Sequence, residues 1–159
     1  ANDAVARAAA LVRQLRRAQQ GALEGQPAAS VHGRIRMALE QMLSRSKGGS
    51  AATGRLGHAL VGEELLVDVA WCLASAGSDV LPLPAAEQLL ALTLLRQLPL
   101  RLQDFKQGGL GLAVKELSLG RGIGEVTPAD PGAARRVRET ATTVMRVAMS
   151  RPGGALVAP

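Results

Sequence analysis

A core for this chain has to be built almost without aromatic rings. Of its 159 residues 47% are apolar, yet the aromatic ones come down to Trp71, Phe105 and no Tyr. Leu, Val and Ala must fill the interior. They do so best between close-packed helices, whereas the strands of a β-sandwich draw on aromatic and β-branched residues. An all-α fold follows, and the length suffices for one compact domain or two small ones.

Helical spacing supports this along most of the chain. From Asp3, which reads as an N-cap, to Ala22, residues Leu11, Leu15, Ala18 and Ala22 share one face, and Arg13, Arg16, Arg17 and Gln20 the other. Gly25-Gln26-Pro27 ends that helix, and a second starts near Pro27 with the stripe Val31, Ile35, Ala38, Leu39 and Met42. Residues 44–54, SRSKGGSAATG, read as a mobile surface linker with nothing to bury. Helical pattern resumes near Leu56 and continues through Leu65, Leu66, Val69, Trp71, Cys72 and Leu73, apolar over most of its circumference. GSDVLPLP, residues 77–84, breaks it, since two prolines so close cannot sit inside a helix. The next helix carries Leu89, Leu90, Leu92, Leu94, Leu95 and Leu98 and reads as central to the C-terminal half. Asp130-Pro131 reads as cap and first residue of a last helix, with Ala133, Val137, Ala141, Val144 and Ala148 inward. The count is about seven helices and no strand.

Chemistry is sparse. His32 and His58 are the only histidines, and neither has a Cys or carboxylate at ligand spacing. Glu63 and Glu64 are adjacent, so with Asp68 they read as a capping and solvated charge group. GRGIGEV, residues 120–126, lacks the strand-to-helix context of a dinucleotide loop. The Ser and Thr residues have no adjacent base, so no enzyme, metal or cofactor is expected. Cys72 is the one cysteine; it excludes an internal disulfide, fits a reducing compartment and reads as buried and inert. No apolar run approaches the roughly 20 residues that span a bilayer, and no basic-then-apolar leader opens the chain, so a soluble intracellular protein without membrane contact is expected.

The charge balance points to acidic partners. Lys and Arg number 19 against 13 Asp and Glu, a net +6 spread over both halves, unlike a concentrated nucleic-acid arm. With two aromatic residues there is no stacking platform for single strands, so nucleic-acid binding is expected to be weak or absent, with Arg13, Arg16 and Arg17 as its only stripe. An all-helical protein with a basic surface and no chemistry most naturally holds another chain in a groove.

Residues 98–117, LPLRLQDFKQGGLGLAVKEL, narrow this further. Leu98-Pro99-Leu100, Lys106, Gly109-Leu110-Gly111, Val114 and Leu117 resemble the signature of the TFIIS N-terminal-like helical domain, where a leucine-rich helix ends in Leu-Pro and a glycine turn opens the next helix. Gln26-Pro27-Ala28, LLVDVAWCLA, GSDVLPLP and Ser150-Arg151-Pro152 are similar to elements of one family within it, the IWS/Spn transcription elongation factors. The chain departs from that family at Met149 and Leu112, where the family has Trp and Lys, and at Trp71, one place early.

The resemblance implies an all-α right-handed bundle or short HEAT-like solenoid. In it, residues 1–57 are a helical extension and linker, 58–152 a TFIIS N-terminal-like domain of four to five helices, and 153–159 a disordered tail. It implies a nuclear, non-enzymatic interaction core that binds a disordered acidic segment of an SPT-six-like histone chaperone and associates with the RNA polymerase II elongation machinery and with histones. The alternatives are a generic module of the superfamily that binds other short linear motifs in transcription factors, and a basic nucleic-acid or histone binder. Its expected peptide groove comprises Arg96, Leu100, Arg101, Phe105, Lys106, Leu110 and Lys115, the cations forming a rim; Phe105 is either core or groove anchor.

Overall fold

The computed structural model describes residues 2–46, 51–74 and 80–150. These form seven α-helices and one 3-10 helix, with no strand among the described residues. The helices are α1 (Asn2–Leu23), α2 (Ala28–Ser46), α3 (Ala51–Gly62), α4 (Leu65–Leu73) and α5 (Ala85–Gln97), then α6 (Leu110–Ser118) and α7 (Ala133–Ser150). The 3-10 helix, Leu102–Gly109, lies between α5 and α6. The fold is all-α, as expected. Helix α1 packs on α2 and α3, α2 on α5, α5 and α6 on α7, and α4 on the 3-10 helix and α6. A single apolar cluster runs from Ala8 to Ala148 and crosses the expected boundary at 57/58, which falls within α3.

The expected stripes of α2 and α7 are buried residue for residue: Val31, Ile35, Ala38, Leu39 and Met42, and Ala133, Val137, Ala141, Val144 and Ala148. Boundaries depart where polar contacts override local signals. The linker expected at 44–54 is helical through Ser46 and again from Ala51; residues 47–50 and the tail lie outside the described part. Ser46 is buried with its hydroxyl donating to Met42 O at 2.6 Å. Helix α7 begins at Ala133, because the Asp130 carboxylate turns to Arg136 instead of capping the helix.

The helix expected from Leu56 through Trp71 is broken in two. Glu64 sits at φ 61°, ψ 28°, the left-handed region, between α3 and α4. A non-glycine residue there costs about 1–2 kcal/mol. The offset comes from α1: Arg16 Nη2 donates to Glu63 O at 2.9 Å and Arg16 Nε to Asp68 Oδ2 at 3.0 Å, while Gln19 Nε2 donates to Asp68 O at 3.0 Å. Asp68 is therefore a buried clamp residue, not the solvated charge expected of it. Burial pushes its carboxyl above the ordinary carboxylate range, against the pull of Arg16.

Two further buried polar residues sit on α5. Arg36 donates to Glu87 Oε1 from Nη2 at 2.7 Å and from Nε at 3.0 Å, which ties α2 to α5 and pushes the Arg36 guanidinium above its ordinary value. Gln88, fully buried, donates from Nε2 to Gly122 O at 2.9 Å and accepts the Gly124 N–H at Oε1, also at 2.9 Å. No buried side-chain nitrogen or oxygen among the described residues lacks a partner.

These contacts explain the glycines of GRGIGEV. Gly120, at φ 84°, closes α6 in a Schellman turn: its N–H meets Leu117 O at 3.0 Å, and Arg121 N–H meets Glu116 O at 2.8 Å. Gly124 passes so close to the residues leading into α5 that an added Cβ would collide with Leu83 O. The run is a helix stop and a close chain crossing.

Candidate interaction site

The site expected around residues 96–115 is built from the end of α5, the 3-10 helix and α6. Pro99 disfavours helical backbone in the residue before it, so Leu98 turns extended (φ −79°, ψ 151°) and α5 ends. Asp104 then accepts the Arg101 backbone N–H at 2.8 Å, holding the start of the 3-10 helix. Gly109 takes φ 79° at the entrance to α6, and Gly111 leaves room for the chain to fold back, since a Cβ there would meet Phe105 O at 2.8 Å. The Leu-Pro and Gly-x-Gly signals thus share one cause. Both press Phe105 into the core beneath α6.

The seven expected groove residues consequently divide. Leu100, Phe105 and Leu110 are buried, at 2%, 6% and 0% exposure, so they support the surface from below and do not line a groove. Apolar residues on a tight turn between helices gain most by packing inward, and Phe105 takes the core alternative. Arg96, Arg101, Lys106 and Lys115 are exposed, and none makes a side-chain ion pair or hydrogen bond among the described residues.

What lies open beside these cations is a different set of residues. A cleft of about 260 Å³ runs between α4 and α6, lined by Ala70, Leu73 and Ala74 on one side and Leu112, Ala113 and the Gly108-Gly109 turn on the other. Leu112 is its lip, 67% exposed. Helix α6 buries Leu110, Val114 and Leu117, so Leu112, Lys115 and Leu119 fall on the opposite face. Val67, also exposed, stands beside Gly108, whose added Cβ would meet Val67 Cα at 3.2 Å. The Glu116 carboxylate and the Arg121 guanidinium, 3.2 Å apart, close one end. Sequence reasoning noted Leu112 only as a departure from the family. The signal available was a leucine off the Leu110/Val114/Leu117 stripe.

Chemically the cleft is a slot of small and aliphatic side chains closed by the Glu116–Arg121 pair, with no reactive group. Cys72, on the same helix as its wall, is fully buried, and burial pushes its thiol up to about 12. Among the described residues no three His, Cys, Asp or Glu side chains converge to hold a metal. His32 bonds through Nε2 to Val80 O at 2.8 Å, and His58 is exposed on α3. No described helix is long and apolar enough to cross a membrane.

No family model, curated protein or solved structure matches the chain.

Proposed function

We propose that this protein is a non-enzymatic, nuclear interaction core of the IWS/Spn elongation-factor kind, built as a short helical solenoid that ends in a TFIIS N-terminal-like domain. Its ligand is a disordered acidic segment of an SPT-six-like histone chaperone, held during RNA polymerase II elongation. The observation that carries this reading is the α4–α6 cleft, lined mostly by aliphatic and small residues, with the unpaired Lys106 and Lys115 on the 3-10 helix and α6, the two elements that form one of its walls. An apolar anchor in the slot with carboxylates toward the lysines is the recognition mode such a surface supports. The resemblance of residues 98–117 suggests the partner class, and with Phe105 buried, the exposed Leu112 at the cleft supports the role of apolar anchor.

Calorimetric titration against an acidic N-terminal peptide of the same organism's SPT-six-like protein tests it. Saturable one-to-one binding is expected, weakened about tenfold or more by Leu112→Asp, because burying a leucine contributes about 1.5–3 kcal/mol. Absence of heat from a chain shown to be helical by circular dichroism refutes the partner. Binding that Leu112→Asp leaves intact refutes the cleft. A DNA or RNA probe shifted at low salt and released steeply as salt rises would favour the nucleic-acid reading instead.

A further inference from the structure

A second cleft lies between the 120–126 loop and the start of α7. It measures about 500 Å³ and is lined by Ile123, Val126 and Pro131, by small residues of the loop and α7, and by Arg135 and Arg138. That volume falls within the roughly 300–1,000 Å³ of ordinary ligand sites. No carboxylate lines it. Arg135 is engaged by Glu139 at 3.2 Å and Arg136 by Asp130, but the Arg138 guanidinium has no ion-pair partner among the described residues. Its stem lies over Gly120, with Cδ 3.6 Å from where a Cβ would stand, so the charge is held at the cleft.

The loop that forms the opposite wall is fixed in advance. Gln88 grips Gly122 and Gly124, Ala85 N–H donates to Glu125 O at 2.9 Å, and the Schellman turn anchors Gly120 and Arg121 to α6. A wall held at both ends and the middle loses little freedom on binding. From the unpaired guanidinium beside a half-buried apolar floor we infer that this cleft is a docking site for an extended peptide segment carrying an acidic residue next to an apolar one. Charge complementarity selects that occupant. The planar guanidinium fork takes a carboxylate in two parallel hydrogen bonds, and Ile123 and Val126 receive the adjacent side chain. The cleft is more open than enclosed, which suits a chain passing across it better than an enclosed small molecule. Neither Trp71 nor Phe105 lines it, so nucleotide bases have no ring to stack on. The inference is independent of the partner proposed above.

The test is a titration of the isotopically labelled chain with an amidated hexapeptide of alternating leucine and aspartate, read by amide chemical shifts and fluorescence anisotropy. Expected are saturable shifts at Gly120, Gly122 and Gly124, and at least tenfold weaker binding for Arg138→Glu and for Arg138→Gln, each verified as folded by circular dichroism. Arg7→Glu, at an exposed position of α1, should bind as the parent does. A leucine and lysine hexapeptide should not bind. Shifts confined to the residues around Leu112 would overturn this inference while leaving the α4–α6 cleft in place. No saturable binding, or binding indifferent to both Arg138 variants, overturns it outright.

Discussion

Replacing Gln88 by leucine should cost more than its modest chemistry suggests. The side chain is fully buried and holds Gly122 O and the Gly124 N–H, each at 2.9 Å. Leucine is of similar size, so the cavity term is small, but both backbone groups lose their partner where the chain crosses α5. An Ala Cβ at Gly124 would collide with Leu83 O, so there is little room for water on that side. Two unsatisfied groups at about 1–3 kcal/mol each, reduced because both glycines keep some solvent contact, give a loss of about 2–4 kcal/mol. For a chain of this length each kcal/mol moves the melting temperature by about 2–4 °C, so Gln88→Leu should melt roughly 5–15 °C lower by circular dichroism.

Gln88→Glu separates the two bonds. It keeps an acceptor for the Gly124 N–H and sets a second oxygen against Gly122 O, so hydrogen exchange should leave Gly124 protected while global stability still falls. If Gln88→Leu lies within 0.5 kcal/mol of the parent by urea denaturation, the clamp is not what holds the loop. Unchanged exchange at Gly124 in Gln88→Leu would say the same.

Two further predictions follow from the buried ionisable groups. Since burial raises the folded-state pKa of Asp68, its contribution is fully present below the ordinary carboxylate range and is lost as pH rises through the raised value. The stability of the parent relative to Asp68→Asn should therefore fall as pH rises above the ordinary carboxylate range, measured as urea midpoints; a relative stability that climbs with pH would mean that the Arg16 pair outweighs desolvation. Cys72, with its thiol pushed up to about 12, should resist a disulfide reagent at pH 8 until the chain is denatured, and rapid native labelling would contradict its burial.

The parts of the fold legible in the sequence were those set by one period and one boundary signal. The α2 and α7 stripes follow from 3.6-residue spacing alone, and the end of α5 from Pro99. The rest depended on partners distant in the chain. The only local hint of a helix break at Glu63-Glu64 is Gly62, the last residue of α3, and the donor that stabilises the break is Arg16, 47 residues from Glu63. Glu87 and Gln88 look like the solvent face of an amphipathic helix, yet their partners lie 51 and 34 residues off, so a helix clothed in apolar residues also buries its polar ones.

The candidate site shows the same division with a functional consequence. Its scaffold was readable, since Pro99, Gly109 and Gly111 fix how the chain reverses and why Phe105 turns inward. Its surface was not, because a motif records mainly the residues a fold cannot do without, and apart from Lys106 and the turn glycines those are the ones that turn inward. Leu112 at one cleft and Arg138 at the other are exposed and belong to no part of the motif. A residue that breaks the stripe of its own helix is therefore a better guide to what the fold leaves open than most residues that complete the motif.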